Sequence, residues 1–543
     1  MKYFVNNKKE LLLAISSGLM IGISFPPIPL PIFIFFSFIP YFFLIEKKEN
    51  YNELVKASYL TFFVFNLITL YWVGSWTKEA DPFLMISGVL LLFLNPAFYL
   101  IPISILYVSQ KVIKKEKAIF LFPIFWVFFE YIYSITDLRF PWLTLANSLP
   151  YFNQFIQVAD ILGAYGLSLI ILYINVFIYL SIKDLKETKK VNFKFALIGT
   201  LIFFIPLLYG ILKTSTPKTY ESKIVVGLIQ PNLNPWDKWS GGNLDEQIDL
   251  YLNLTEQAYK KGARLIIWPE SALSVYLLSG NYENEVQKIQ KYVYTRNVFL
   301  MTGMPDVNFY FDLKQAPEDA KKLKSQDVAY TSYNSILLFS PYTLEIQKYQ
   351  KNLLVPFGEH VPFVEYLPFL GKLIKWQVGI SSWNVGKEQN VFDLNVIKIG
   401  GIVCIESIYP DYVAKFVQKG ADFIAVVTND SWYGYSSGPF QHKEISVLRA
   451  VENRRSVVRA ANGGISCVID PFGRTISQTK LFEKTVLVDT VPIYRERTFY
   501  SKYPLLIPYA VTFITLLILI SRLYLVIRKN IKNYNVFKRI NHR

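Results

Sequence analysis

The stretch VIKIGGIVCIES, residues 396–407, is an apolar run that ends in a cysteine, with a glutamate two residues later. Such a run predicts a buried β-strand with Cys404 at its end. Six further β-rich runs lie at 223–232, 264–271, 298–305, 332–341, 422–430 and 465–473, and helix-length stretches lie between several of them, including 243–262, 281–295 and 438–461. This alternation predicts an α/β domain, in which helices cover a sheet core.

Outside this domain the chain is strongly apolar. Hydrophobic residues make up 52% of the 543 residues, and charged residues only 18%. Each apolar segment has about the 20 residues that a helix needs to cross a bilayer. The segments lie roughly at 9–26, 28–46, 57–76, 84–110, 118–135, 160–182, 194–213 and 504–527. We therefore predict eight transmembrane helices, with a membrane domain at 1–213, the α/β domain at 214–503, and the eighth helix with a basic tail at 504–543.

The loops between these segments alternate in charge. Lysines precede the first span and follow the second, fourth and sixth, whereas the alternate short loops carry only Lys78 and Arg139. By the positive-inside rule, both termini are cytoplasmic and the α/β domain lies on the opposite side of the membrane. The net charge of +16 could suggest nucleic acid, but it is spread over these loops rather than gathered on a binding motif, so we expect no nucleic-acid partner.

Cys404 and Cys467 are the only cysteines. Outside the cytoplasm such a pair can form a disulfide, and an inert buried thiol is equally ordinary. A catalytic thiol instead needs a base, which could be His360, His442 or a carboxylate assisted by a lysine. The residues alone leave these alternatives open.

Two other motifs carry the groups that such chemistry requires. WPES ends a β-rich run with Glu270, and KNLLVPFGE contains Lys351 and Glu359. Strand ends at one edge of an α/β sheet can bring distant side chains together. A glutamate could take the thiol proton, and a lysine could lower the thiol pKa and stabilise an oxyanion.

WPES, KNLLVPFGE and CIES, in this order and between these apolar segments, resemble the nitrilase superfamily and, within it, the apolipoprotein N-acyltransferase family over nearly the whole chain. The resemblance implies an α-β-β-α sandwich with Glu270 as general base, Lys351 as oxyanion stabiliser and Cys404 as nucleophile. It requires no metal or other cofactor.

The resemblance also implies supporting residues. Glu359 matches a second glutamate that helps to hold the site, Glu406 matches an acidic residue after the nucleophile, and Trp239 matches a tryptophan near the acyl-chain entrance. For the two glutamates, structural support through hydrogen bonds and a direct role are equally open. Better-known members have tyrosine directly after the cysteine, where this chain has Ile405. In TNDSWYG, Asn429 and Trp432 either line the pocket or form a turn.

The family's activity is acyl transfer in two steps. An acyl chain passes from a membrane phospholipid to Cys404 as a thioester, and then to the N-terminal amine of a diacylglyceryl-cysteine on an apolipoprotein. The implied setting is the bacterial inner membrane, with the α/β domain periplasmic, and we expect a monomer. The apolar residues of segment 363–376 are then expected to form an arm that dips towards the lipid.

Two rival functions differ in what they need. A membrane-tethered amidase or nitrilase acting on a small carbon-nitrogen compound would share the triad but have no use for this arm. A transporter or receptor predicts ionisable residues inside the spans, where Glu130 is the clearest candidate.

Overall fold

A computed structural model of the chain describes residues 7–76, 82–190, 192–215, 219–235, 243–323, 327–363, 366 and 383–541. In chain order the helices are α1 (Lys8–Ile23), α2 (Phe38–Glu46), α3 (Tyr51–Leu70), α4 (Pro82–Phe98), α5 (Leu100–Ser109), α6 (Lys115–Ala118), α7 (Phe122–Ile135), α8 (Asn153–Ile156), α9 (Ala159–Thr188), α10 (Phe193–Ser215), α11 (Leu244–Lys260), α12 (Glu283–Arg296), α13 (Pro410–Gln418), α14 (Ser437–Asn453), α15 (Phe499–Lys502) and α16 (Leu506–Asn541).

The strands form two mixed sheets. They are β1 (Ser222–Gln230), β2 (Leu265–Trp268), β3 (Phe299–Tyr310), β4 (Lys321–Lys322), β5 (Ala329–Phe339), β6 (Gln347–Gln350), β7 (Phe392–Asp393), β8 (Lys398–Val403), β9 (Phe423–Thr428), β10 (Val457–Ala461), β11 (Cys467–Ile469), β12 (Thr475–Gln478) and β13 (Thr485–Ile493). The first sheet has the order β13-β1-β2-β3-β5-β4 with β6 paired to β5, and the second has the order β12-β11-β10-β9-β8-β7. Parallel pairs β1–β2–β3 and β8–β9–β10 form the two centres.

Alternation along the strands explains why the sheets stack. In β2, Leu265 and Ile267 belong to the core that also contains the second sheet, whereas Ile266 and Trp268 pack in the core beneath α11 and α12. Tyr251 of α11 lies on Trp268, with ring centroids 4.6 Å apart. Successive side chains of a strand point to opposite faces, so one strand serves both cores. The predicted α-β-β-α sandwich is confirmed.

All seven predicted β-rich runs contain a strand, but the helix predicted at 438–461 is wrong at its end. Helix α14 stops at Asn453, and residues 457–461 form β10 between β9 and β11. The chain turns at Arg454, which adopts a left-handed φ of 48°. A non-glycine residue rarely adopts this conformation, so the sequence gives no sign of the turn. The following run contains the β-branched pair Val457–Val458, which favours a strand.

Six of the eight predicted spans coincide with helices long and apolar enough to cross a membrane, among the described residues. The first two predicted spans correspond to shorter apolar helices, α1 with 16 residues and the segment Pro31–Glu46. Residues 24–30 lie between them and include Pro26, Pro27 and Pro29, and proline lacks the N–H that continues a helix. The count of eight crossings stays a prediction.

Helix α14 joins the sandwich to the membrane helices. Almost all of its residues are buried, because it lies between the second sheet and α9. Near its start, the Gln441 side-chain oxygen accepts hydrogen bonds from the Trp72 and Trp142 indoles at 3.1 and 2.8 Å. Both tryptophans lie in the predicted membrane domain, so the two parts share a buried polar contact.

A buried ion pair lies at the other end of the same helix. Arg454 directs its guanidinium to Asp160 of α9 at 2.7 Å and to the Gln157 side chain at 2.6 Å. The two charged side chains are 1% and 5% exposed. In such a pair, removal of one partner leaves the other charge buried without compensation.

We expect Asp160→Ala to destabilise the protein by about 3–5 kcal/mol, because Arg454 then stays buried without its carboxylate. The change is measured as a lower melting temperature of the purified protein in detergent. Glu256→Ala is the matched control, since it removes a carboxylate from the partly exposed pair with Arg296. Equal shifts in the two variants would contradict the prediction.

Candidate active site

Three strand ends bring the predicted catalytic residues together. Glu270 follows β2, Lys351 follows β6 and Cys404 follows β8 directly. Lys351 Nζ lies 3.7 Å from Glu270 Oε1. The charge of Glu270 raises the pKa of the Cys404 thiol, and the charge of Lys351 lowers it. The structure therefore assembles the predicted triad from two sheets.

Lys351 is buried between two carboxylates. Its ammonium lies 2.7 Å from Glu359 Oε2 and 2.9 Å from Glu359 Oε1, and its side chain is 1% exposed. Burial alone would lower the pKa of Lys351, but the charges of Glu359 and Glu270 outweigh it and the pKa is raised. Lys351 is thus held as a cation at the site.

Asn334 holds both glutamates. Its Nδ2 donates to Glu270 Oε1 at 2.7 Å and to Glu359 Oε1 at 3.1 Å, while the Asn429 N–H donates to Glu270 Oε2 at 3.0 Å. Gly303 of β3 admits the Glu270 backbone, since a Cβ there would lie 2.5 Å from Glu270 Cα. Burial raises the pKa of Glu270, although the charge of Lys351 opposes this. A carboxyl of raised pKa is a better match for a general base.

Cys404 stands at a sharp turn. It begins a 3₁₀ turn, Cys404–Ile408, with a left-handed φ of 50°. A non-glycine residue in that region costs on the order of 1–3 kcal/mol, so its surroundings must hold it there. Burial and the charge of Glu270 raise the pKa of the thiol well above its ordinary value, while Lys351 opposes them.

Glu406 ties two chain segments together. It accepts hydrogen bonds from the Tyr349 hydroxyl at 2.6 Å, from the Asn352 and Leu353 N–H groups at 2.7 and 3.1 Å, and from the Val403 N–H at 2.9 Å. These donors flank Lys351 on one segment and precede Cys404 on the other. Burial raises the pKa of Glu406, and the hydrogen bonds oppose this. Its carboxylate therefore fixes the spacing between lysine and cysteine.

Neither histidine serves the thiol. His360 lies 3.5 Å from Asp137, and the ring nitrogens of His442 contact Asp430 and the backbone carbonyl of Cys404. The alternative of a Cys-His dyad is therefore not what the geometry favours.

The alternative of a disulfide fails on distance. Both cysteines are free. Cys467 starts β11, which lies three strand positions from β8, or about 14 Å at the usual strand spacing. A disulfide requires Cα atoms within about 7 Å.

The remaining predicted residues have various surroundings. Trp432 lies in the 3₁₀ turn Asp430–Tyr433, half-buried, and its carbonyl accepts the Ser75 hydroxyl of the membrane domain. Ile405 is buried in the core. Glu130 accepts from the Trp126 indole and the Leu145 N–H, so it fastens a membrane-domain turn.

Part of the predicted site falls elsewhere. Trp239 lies outside the described residues. Of the apolar residues predicted for the arm, Phe363 and Tyr366 are described and exposed, at 39% and 81%. The others, Leu367, Phe369, Leu370, Leu373, Ile374 and Trp376, lie outside the described residues.

Sequence reasoning missed Asn334, and it missed Thr428 and Arg459, which bind Asp430. Asn334 lies among polar residues in the middle of β5 and is buried, so the local sequence does not distinguish it from an exposed strand residue. Among the described residues, no group of three His, Cys, Asp or Glu side chains is arranged to hold a metal ion.

Comparison with known proteins covers both parts of the chain. A family model described as Carbon-nitrogen hydrolase matches residues 225–498, and one described as Apolipoprotein N-acyltransferase N-terminal domain matches residues 17–177. The apolipoprotein N-acyltransferase of Chlorobaculum tepidum is 32% identical over 514 residues, 92% of this chain and 94% of that protein. That of Geobacter metallireducens is 30% identical over 505 residues, 91% of this chain and 92% of that protein.

Among solved structures, an amidase from Nesterenkonia sp. covers 52% of this chain and 94% of that chain, at 17% identity and a TM-score of 0.36. A carbon-nitrogen hydrolase from Helicobacter pylori G27 covers 50% of this chain and 89% of that chain, at 16% identity and a TM-score of 0.37.

The pH dependence of Cys404 alkylation by iodoacetamide tests the electrostatics. Because the thiol pKa is raised, the alkylation rate should climb with pH through the neutral range and beyond. Glu270→Gln removes a charge that raises this pKa, so its profile should move to lower pH. Lys351→Met removes a charge that lowers it, so its profile should move to higher pH. Shifts in the same direction would contradict this account.

Lys348→Met is the matched control for these profiles. Lys348 is a partly exposed lysine of β6 that pairs with Asp306. Its removal should leave the profile of Cys404 unchanged.

Proposed function

The chain belongs to the apolipoprotein N-acyltransferase family, and from that premise we propose that it transfers an acyl chain from a membrane phospholipid to the N-terminal amine of a diacylglyceryl-cysteine on an apolipoprotein. Glu270, Lys351 and Cys404 are the proposed catalytic residues. Glu359 and Glu406 are the proposed supporting residues, with Asn429 holding the base and with Trp432 and Trp239 on the substrate side.

In the first half-reaction Glu270 takes the proton of the Cys404 thiol, and the sulfur attacks the ester carbonyl of the phospholipid. The Lys351 ammonium stabilises the negative oxygen of the tetrahedral intermediate. The ester C–O bond then breaks, and Glu270 returns the proton to the leaving oxygen. The products are a thioester on Cys404 and a lysophospholipid.

In the second half-reaction the amine of the lipoprotein attacks the thioester carbonyl. Glu270 takes the amine proton and Lys351 again stabilises the oxyanion. The C–S bond breaks, the proton returns to sulfur, and an amide leaves. The two half-reactions predict ping-pong kinetics.

One contact in particular supports a lipid substrate over a water-soluble one. Tyr433, at the end of the turn that starts beside Glu270, meets Trp72 of the membrane domain with ring centroids 4.7 Å apart. Burial raises the pKa of Tyr433, and the charge of Cys404 raises it further. The Trp142 ring also lies 5.3 Å from the His442 ring, whose Nε2 lies 3.2 Å from the Cys404 carbonyl oxygen, and this nearness of apolar rings to Cys404 supports an acyl chain as substrate.

The proposal includes a setting and a domain division. Residues 1–213 form the membrane domain, 214–503 the periplasmic catalytic domain, and 504–543 the last span with a cytoplasmic tail. The lysine-rich loops support this orientation in the inner membrane, with both termini cytoplasmic. The protein acts as a monomer without nucleic acid or any cofactor.

A phospholipid with a labelled acyl chain, offered without acceptor, tests the thioester. The wild-type protein in detergent should acquire label that neutral hydroxylamine releases. Cys404→Ala should acquire none, because the attacking sulfur is gone, whereas Cys467→Ala should label normally. A folded wild-type protein that stays unlabelled would favour the amidase alternative.

The arm offers a second test. Phe363→Ser with Tyr366→Ser should raise the KM for phospholipid about tenfold or more, since burying one aromatic ring in lipid is worth about 1.5–3 kcal/mol. Phe311→Ser is the matched control, since Phe311 is 80% exposed on the sandwich. An unchanged KM would mean that the arm does not take part in lipid binding.

A further inference from the structure

Behind the nucleophile lies a chain of buried polar groups that the proposed reaction does not use. Arg459 of β10 donates to Asp430 Oδ2 at 2.9 Å, and Asp430 Oδ1 lies 2.8 Å from His442 Nδ1. The Thr428 hydroxyl also donates to Asp430 Oδ1, at 3.1 Å. All four residues are at most 2% exposed.

The charges in this chain decide which imidazole nitrogen carries hydrogen. Burial alone would raise the pKa of Asp430, but His442 and Arg459 outweigh it and the pKa is lowered. Burial and the charge of Arg459 lower the pKa of His442. Asp430 is therefore an acceptor and the imidazole is neutral, so Nδ1 bears the hydrogen and Nε2 is an acceptor.

Nε2 is directed at the turn that carries the nucleophile. It lies 3.0 Å from Ser407 Oγ and 3.2 Å from the carbonyl oxygen of Cys404. The Ser407 hydroxyl lies 2.7 Å from the same carbonyl oxygen. The single hydroxyl hydrogen thus joins two acceptors, the imidazole and the backbone of Cys404.

We propose that His442, oriented by Asp430, is a positioning residue that holds Ser407 and thereby fixes the backbone of Cys404 in the left-handed conformation from which its sulfur attacks. This inference rests on the proposed role of Cys404 as acyl carrier. His442 touches neither substrate nor sulfur, and it acts only through Ser407 and the Cys404 carbonyl.

The position of His442 also depends on the membrane domain. The neighbouring residue Gln441 binds the indoles of Trp72 and Trp142, and the Trp142 ring lies 5.3 Å from the His442 ring. Trp72 and Trp142 therefore contact the first turns of the helix that carries His442. Docking of the two domains therefore also helps to align Cys404.

Three substitutions at His442 separate positioning from packing. Gln places an acceptor oxygen where Nε2 stands, so His442→Gln should keep the bond to Ser407. Asn reaches Asp430 but not Ser407, so His442→Asn should behave like His442→Ala. In the full-length enzyme in detergent, the last two should lower kcat about 100-fold, the scale on which small misplacements act. The KM for phospholipid should stay unchanged, and His442→Gln should restore most of kcat.

Val447→Ala is the control for packing, because Val447 is a buried residue of the same helix. It should lower the melting temperature without lowering kcat. If kcat fell only in step with melting temperature across all four variants, or if His442→Ala kept full kcat, the positioning role would be overturned.

A soluble acyl donor separates this inference from the function on which it rests. Cys404 can be acylated by p-nitrophenyl butyrate without any phospholipid. The p-nitrophenol that leaves in this step is measured in a single turnover. A slow His442→Ala and a fast His442→Gln would support positioning even if phospholipid proved not to be the donor. Equal rates in wild type and His442→Ala would overturn positioning even if phospholipid acylates the enzyme.

Discussion

A lysine ammonium buried between two carboxylates is the interaction on which the rest of the site depends. Removing such charges from water is costly, and their mutual attraction offsets the cost only when every remaining lone pair finds a donor. Asn334, the Asn429 N–H and the Val355 N–H supply those donors to Glu270 and Glu359. The ends of β2, β6 and β9 and the middle of β5 must therefore meet at one point. The sandwich is the fold that brings them there.

The same requirement extends outwards from the triad. Glu406 is buried with four donors, three of them backbone N–H groups, and Asp430 is buried with three side-chain partners. Glu406 sets the distance from the lysine segment to the end of β8, and Asp430 sets the orientation of His442 in α14. Since α14 also packs on the membrane helices, the polar groups form a continuous link from the membrane domain to the nucleophile.

Short β-rich runs were enough to predict seven strands, whereas the grouping of Glu270 with Cys404 came from the family resemblance. The strand ends were expected at one sheet edge, but β2 and β8 belong to two different sheets. What could not be predicted depends on contacts remote in sequence. β13 was missed although its run TVLVDTVPI is rich in β-branched residues, but its pairing with β1, across the whole domain, could not be predicted from that run. Asn334 reads as an ordinary strand residue until the two glutamates stand opposite it. Helix α14 ends because Arg454 adopts a left-handed backbone conformation. The identity of a residue does not signal this conformation unless the residue is glycine or asparagine.

Docking of the two domains helps to hold Cys404 in its backbone conformation. Cys404 is held in a backbone conformation that is unfavourable for a residue with a Cβ, and burial together with the charge of Glu270 raises the pKa of its thiol against the opposing charge of Lys351. Neither condition could persist in a flexible turn, because the chain would relax to a more populated conformation. The buried contacts of Gln441 and Arg454 with the membrane domain supply the rigidity that opposes this relaxation. The same contacts bring the Trp142 ring to 5.3 Å from the His442 ring, and His442 Nε2 lies 3.2 Å from the Cys404 carbonyl oxygen, so the backbone of the proposed nucleophile is constrained through the helix that packs on the membrane helices.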